Sequence, residues 1–243
     1  MARFFVLPEK VSGDEIMIDT EDVSHISRVL RLQVGDEIEI CDTCGYDYHS
    51  RIEEIQKNAV RCRVLSKAKS DSEPALKVTL YQGLPKGSKM DYIIQKTTEL
   101  GITRIVPCEM SRCVVKLEDR KEKKTERWRK IAEEAAKQSG RGIIPEISMP
   151  MTFHEALEDM KNAEILFAPY ECEEDQTLRS VISRRKEGRT AAFIIGPEGG
   201  FDPAEIEAIQ KCGIPAVTLG KRILRTETAG EAVLAMIMYE FEQ

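Results

Sequence analysis

The chain has 243 residues, 42% hydrophobic and 32% charged, with 36 Lys and Arg against 42 Asp and Glu for a formal charge of −6. That length fits one large domain or two small ones, and the acidic balance excludes an unspecific nucleic-acid coat while leaving room for a local basic patch. No stretch approaches the ~20 apolar residues of a membrane span, no secretory leader opens the chain, and the seven scattered cysteines are expected as reduced thiols of a cytoplasmic protein.

Residues 1–70 read as short strands at 4–7, 15–18, 37–41, 46–55 and 60–65, with turns at Gly35-Asp36 and Thr43-Cys44-Gly45. One helix is expected over 21–31, with Val23, Ile26 and Leu30 on a single face. Several short strands with one helix predict a small β-barrel. Ser70-Asp71-Ser72-Glu73-Pro74 reads as a linker, giving two domains, 1–70 and 74–243. Strand and helix then alternate. A strand is expected at 77–84 and a helix at 89–100, with Met90, Ile93, Ile94 and Thr97 inward and Gly101 at its C-cap. A strand at 104–107, a charged helix at 122–139 and a strand at 164–168 come next. This alternation predicts an α/β domain with a largely parallel sheet. Residues 110–141 carry 11 Lys and Arg against 6 Asp and Glu, whereas 142–243 carry 10 against 18. The asymmetry suggests an RNA-facing region; a solvated helix laced with salt bridges is the alternative.

The stretch 191–229 organises the rest. The apolar run Ala191-Ala192-Phe193-Ile194-Ile195 reads as a buried strand and breaks at Gly196-Pro197-Glu198-Gly199-Gly200-Phe201. Asp202 is placed to cap a helix, Pro203 suits its first position, and Glu205 completes a capping-box pattern. A second strand, 215–219, breaks at Gly220, and 221–229 lead into a helix running almost to the C-terminus. In an open α/β sheet, ligands sit just past the carboxyl ends of strands. Gly196, Gly199, Gly200 and Gly220 let backbone approach a ligand closely. They do not spell Gly-x-Gly-x-x-Gly, and no Gly-Lys-Ser/Thr comes after them, so a phosphate cradle is disfavoured. Leu219, Ile223 and Leu224 suit a mostly apolar pocket. Two plain capped strand–turn–helix units would show the same glycines. Cys41 and Cys44 form one Cys-x-x-Cys with no second pair at zinc spacing, and His25, His49 and His154 are dispersed, so no metal site is expected. A Ser-His-Asp hydrolase would lack its Gly-x-Ser-x-Gly elbow.

Gly196 to Phe201, with Leu219-Gly220, Ile223-Leu224-Arg225 and Glu227-Thr228-Ala229 after it, closely resembles the RsmE family of 16S rRNA uridine N3-methyltransferases in the SPOUT superfamily. Three further stretches resemble it too: the opening Met1-Ala2-Arg3-Phe4-Phe5, residues 84–91 with 95–101, and Gln138-Ser139-Gly140-Arg141. The resemblance covers nearly the whole chain. It implies a PUA-like RNA-binding β-barrel, then a SPOUT α/β domain with a trefoil knot that binds S-adenosylmethionine. It implies as partner 16S rRNA, free or in the assembled small ribosomal subunit. It also implies a homodimer, which suits the apolar last helix, 231–241, with Val233, Leu234, Met236, Ile237 and Met238.

For the site, the resemblance implies a cofactor pocket from Gly196, Gly199, Leu219, Gly220, Ile223, Leu224, Thr226, Thr228 and Ala229. Arg225 is the candidate to stabilise the developing uracil anion. Glu227 is expected to orient Arg225 or bond the cofactor, and Glu198 to anchor a loop or receive a proton. Arg3, His25, Arg28, Arg31, Lys86, Lys89 and Arg141 are the RNA-contact candidates. Two rival readings are a noncatalytic RNA-binding or ribosome-assembly protein and a tRNA methyltransferase of the same fold.

Overall fold

The computed structural model describes residues 2–116, 120–183 and 187–242. Met1 of the opening motif and residues 117–119 of the basic segment lie outside the described residues. The chain divides into two compact units. Met1–Glu73 with Ala136–Ile144 forms the first, and Pro74–Ala135 with Pro145–Gln243 the second.

The first unit is a six-stranded sheet. β1 (Arg3–Phe5), β2 (Val11–Ser12), β3 (Glu15–Ile18), β4 (Glu37–Cys41), β5 (Tyr46–Ile55) and β6 (Val60–Lys69) lie in the order β1-β4-β5-β6-β3-β2. Only the β1–β4 pair is parallel. The alternation of β3 and β4 sends Ile16, Ile18, Ile38 and Ile40 into a core shared with Phe4, Val23, Ile26, Tyr48, Ile52 and Val60. β1 and β2 end the ladder and do not pair with each other, so the expected barrel is an open ladder in its hydrogen bonding. Asp42 closes the β4–β5 turn, its Oδ1 accepting from the N–H groups of Cys44 (2.9 Å) and Tyr46 (3.1 Å).

The helix expected over 21–31 is much shorter. α1 lasts one turn, Asp22–Ser24, and widens into a π turn over His25–Val29. There the N–H of Leu30 donates to the carbonyl of His25 at 2.9 Å. Arg31 then takes a left-handed φ of 54° and ends the segment. The wider turn rotates the residues after it, so Val23 and Ile26 are buried while Leu30 lies on the surface. The polar stretch before Pro74 is fastened rather than loose. Glu73 Oε1 accepts from the N–H groups of Gly142 (2.8 Å) and Ile143 (3.2 Å), and its Oε2 pairs with Arg141 at 2.6 Å.

The second unit alternates as expected: β7 (Lys77–Gly83), α2 (Lys89–Glu99), β8 (Arg104–Glu109), α3 (Lys121–Gln138, whose end joins the first unit), β9 (Glu146–Ile147), β10 (Met151–Thr152), α4 (Phe153–Met160), β11 (Ile165–Pro169), α5 (Leu178–Ile182), β12 (Thr190–Ile195), α6 (Pro203–Lys211), β13 (Ala216–Val217) and α7 (Thr226–Phe241). The sheet order is β10-β8-β7-β12-β11-β13, with β9 also on β8, and every pairing is parallel. The strands are near-continuous apolar runs because helices cover them. Phe167 of β11 and Phe193 of β12 stack at 5.7 Å. Met90, Ile93, Ile94 and Thr97 of α2 are buried, and Gly101 stands after the helix with a φ of +92°. The Asp202–Glu205 capping box on α6 is formed at both ends. α7 begins at Thr226, and Val233, Leu234, Ile237 and Met238 pack inward, leaving Met236 and Tyr239 exposed.

Candidate functional site

In a parallel sheet all carboxyl ends point one way. At the ends of the neighbouring strands β12, β11 and β13 lies a cavity of about 940 Å³. Pro169 and Tyr170 line it from the end of β11, Ile195 to Glu198 from the end of β12, and Thr218 to Gly220 from the end of β13. Leu224, Arg225, Thr226 and Ala229 close it from the start of α7, and Lys89 reaches it from α2.

The loop after β12 is held at every turn. Gly200 takes φ +66°, and its N–H donates to the carbonyl of Pro197 at 2.9 Å. Glu198 Oε1 accepts from the N–H of Lys86 (2.9 Å) and pairs with Lys89 Nζ at 3.1 Å. Arg112 donates to the carbonyl of Gly199 at 2.9 Å. A Cβ at Gly83, the last residue of β7, would stand 2.6 Å from the backbone nitrogen of Pro197, so only glycine lets strand and loop meet there. Burial pushes the Glu198 carboxyl up, but the backbone N–H of Lys86, its own N–H and Lys89 together hold it below the ordinary value. Such a carboxylate stays ionised and makes a better anchor than base.

Lys89 also lies 3.3 Å from Glu227 Oε2, so one ammonium joins the glycine loop to the first turn of α7. Its pKa is raised, first by Glu198, then against burial with the help of Glu227. That contact is an ion pair in distance only, since Glu227 Oε2 is buried without a hydrogen-bond partner. Glu227 therefore engages Lys89 and not Arg225, so of the two roles expected for it, orienting Arg225 or bonding the cofactor, the first is not formed here.

The loop before α7 is open. Gly220 takes φ +106°, with its N–H on Thr218 Oγ1 at 3.2 Å. Lys221, Arg222, Ile223 and Arg225 are exposed, Ile223 by 83%. Arg225 occupies the N-cap of α7 with extended backbone, and no ion pair or hydrogen bond holds its side chain among the described residues.

The cavity thus brings together Gly196, Glu198, Leu219, Gly220, Ile223, Leu224, Arg225, Thr226 and Ala229. Gly199 and Thr228 stay outside the lining; Gly199 faces Arg112, and Thr228 sits exposed on α7. Among the RNA-contact candidates, Arg28, Arg31 and Lys86 are exposed, and His25 is half-buried edge-on to Phe4. Arg3 and Arg141 require correction. The Arg3 side chain is 7% exposed, pairs with Asp47 and Glu39, and donates to the carbonyl of Arg141. Arg141 is 3% exposed against Glu73. Both arginines serve the interior of the first unit, because a buried guanidinium must be paired. Lys89 is likewise directed to two carboxylates. Part of the basic segment is tied to carboxylates, Lys121 to Glu109, Arg127 to Asp91 and Lys137 to Asp22, while Lys116, Arg120, Lys123, Arg127, Arg129 and Lys130 stay exposed.

Sequence reading missed Gln82, which is fully buried at the end of β7 and donates to Thr226. Its one signal was an amide directly after Leu80 and Tyr81 in the buried half of the strand. It also missed the acidic rim of Glu171, Glu173, Glu174 and Asp175. All seven cysteines are free. Cys41 is buried with its thiol on the carbonyl of Gly142, and burial pushes it up to about 12, whereas Cys44 is exposed. No group of three or more metal-ligating side chains occurs among the described residues.

Comparison with known proteins decides the family. An RNA methyltransferase domain matches residues 72–238, and an RNA methyltransferase PUA domain matches 18–65. Ribosomal RNA small subunit methyltransferase E of Bacillus subtilis is 36% identical over 250 residues, covering 100% of this chain and 98% of that protein. The chain belongs to the ribosomal RNA small subunit methyltransferase E family. In this RsmE family member the first unit is the PUA-like β domain and the second the SPOUT-like α/β domain. A ribosomal RNA small subunit methyltransferase E from Neisseria gonorrhoeae, solved bound to S-adenosylmethionine, matches with a TM-score of 0.89 at 33% identity, covering 98% of this chain and 97% of that one. A Legionella pneumophila protein solved in complex with the bound cofactor SAM matches with a TM-score of 0.88 at 30% identity, covering 98% and 97%. No helix among the described residues is long and apolar enough to cross a membrane.

Proposed function

We propose that this protein uses S-adenosylmethionine, held in the cavity past β12, β11 and β13, to methylate N3 of a uridine in the decoding region of 16S rRNA. One observation carries the reading. The two motifs that resemble the family, at 196–201 and 219–229, converge on a single cavity at the carboxyl ends of a parallel sheet. The cavity fits the cofactor in size and chemistry. About 940 Å³ is the scale of a small-molecule site, Leu224 and Ile195 offer apolar surface, and the acidic rim suits a ligand carrying positive charge.

When bound, S-adenosylmethionine supplies an activated methyl group on a sulfonium. The chain's own residues then position and polarise. The tethered loop 196–201 and the first turn of α7 hold the ligand in fixed geometry, which can account for much of the acceleration. Arg225, at the mouth with no ion pair or hydrogen bond on its side chain among the described residues, stabilises negative charge as uracil loses its N3 proton. Glu198 anchors the loop, and Glu227 keeps a buried oxygen free of hydrogen bonds beside it. In the first unit, Arg28 and Arg31 carry exposed charge for RNA phosphates, with His25 beside them. The reading includes action in the cytoplasm, the family's trefoil knot and a homodimer; exposed Met236 and Tyr239 on α7 support the last.

The test is methyl transfer to assembled small subunits, naked 16S rRNA and tRNA, with the product mapped by mass. The expected product is one N3-methyluridine in 16S rRNA, with subunits the better substrate. Methylation of tRNA alone, or cofactor binding without transfer to any RNA, would overturn it.

A further inference from the structure

Gln82 is the second-to-last residue of β7 and has no exposed surface. A buried amide is costly unless hydrogen-bonded. Its Nε2 donates to the carbonyl of Gly83 at 3.0 Å and to Thr226 Oγ1 at 2.8 Å. Because the Thr226 oxygen accepts from the amide, its proton is directed elsewhere. It goes to the carbonyl of Gly196, 2.7 Å away. The three groups form a one-way chain, from amide N–H to hydroxyl to carbonyl. Turning the amide over would face its oxygen towards the Gly83 carbonyl, two acceptors together, so the direction is set. As placed, Gln82 Oε1 is buried with no hydrogen-bond partner and lies 3.6 Å from where a Cβ on Gly230 would stand. The arrangement leaves one acceptor unmatched to keep the donor side in place, which marks the donor side as the part that matters.

The relay's middle hydroxyl and its final carbonyl line the cavity. Gly196 begins the loop after β12, and Thr226 begins α7. Gln82 itself is not in the lining. We propose that Gln82 is a positioning residue for the methyl-donor site, orienting the Thr226 hydroxyl so that it ties the Gly196 loop to the first turn of α7. This rests on the reading of the cavity as the S-adenosylmethionine site. Polarity is the essential property. A carboxylate at position 82 accepts only, so it would draw the Thr226 proton to itself and leave the Gly196 carbonyl bare. A protonated carboxyl at the same place donates again, and burial raises its pKa towards neutrality.

The experiment is calorimetric binding of S-adenosylmethionine to the full chain, from mildly acidic to mildly alkaline pH, with thermal midpoints recorded. Thr226→Val and Gln82→Met should each weaken binding roughly tenfold, the scale of one lost buried hydrogen bond with its partner left unmatched. Thr226→Ser, which keeps the hydroxyl, should recover most of that loss. Gln82→Glu should bind well in acid and weaken as pH rises, while the wild type stays flat over the same range. A purely structural role for Gln82 would lower binding only where the thermal midpoint of Gln82→Glu falls with it, whereas the positioning role lowers binding at pH values where that variant is still fully folded. If Thr226→Val fails to fold, the Gln82→Glu profile decides. Wild-type affinity in both Gln82→Met and Thr226→Val, or a pH-independent Gln82→Glu, refutes the positioning role. A wild-type chain that binds no S-adenosylmethionine refutes the cofactor reading instead, and this inference with it.

Discussion

The two loops that wall the cavity are built in opposite ways. The loop 196–201 is tied by Lys86, Lys89, Arg112 and Thr226, and crowded by Gly83. The loop 220–225 has one side-chain tie to its own backbone, Thr218 to Gly220, and turns Ile223 and Arg225 to solvent. One wall is braced by the chain itself; the other is open to solvent. A site that must hold a cofactor firmly and still admit a large RNA gains from that division. On the proposed reading, the fixed wall would supply geometry without an ordering cost, and the open wall would supply the charge that meets the second substrate.

The largest effect expected from breaking the contrast falls on the open wall. Arg225→Ala should lower single-turnover methylation by about 100-fold, as loss of an oxyanion-type donor does, with far less change in cofactor affinity. Equal losses in both would make Arg225 a cofactor contact. On the fixed wall, Gly83→Ala should reduce stability by roughly 1–3 kcal/mol, because its Cβ meets backbone that cannot yield cheaply. Urea unfolding reads this directly, and wild-type stability would show the loop to be more pliant than its contacts suggest.

Ile223→Ser separates binding from folding. With Ile223 83% exposed, stability should change by no more than about 0.5 kcal/mol. On the proposed reading, in which the cofactor covers this side chain, affinity should fall roughly fivefold. A stability loss without an affinity loss would assign Ile223 to the fold. The smallest effect is a pH dependence. The Glu198 carboxyl is held below its ordinary value of 4.5, so its contribution is fully present above that value. It is lost as pH falls through the lower folded value. Glu198→Gln should therefore be less stable than wild type at neutral pH, with the gap closing in acid. A gap that stays constant into acid would remove Glu198 as an ionised anchor.

The capping box at Asp202 and Glu205, the inward face of α2 and the alternation of the second unit were legible because each is local: a cap, a helical period, an apolar run bounded by glycine. Local rules misread the segment at 21–31, where one widened turn sends Leu30 outward although Val23 and Ile26 keep a helical spacing. They also misread Arg3 and Arg141, since nothing in the residues near an arginine says whether a distant carboxylate will meet it. Asp47 and Glu73 do so here from 44 and 68 positions away.

By itself, then, the sequence determined the class of each unit, the two glycine-bearing loops and the family to which they belong, because periodicity and short motifs are written in neighbouring residues. Only the tertiary structure decided which of those residues share a cavity. β7 and β12 are adjacent strands more than a hundred residues apart in the chain, and that pairing sets Gly83 against Pro197, while α7 packed on β7 sets Thr226 beside Gln82. It likewise took the packed fold to set Lys89 between Glu198 and Glu227. The physical reason is range. A hydrogen bond or an ion pair depends on a few ångströms in space, and sequence separation carries no record of that distance.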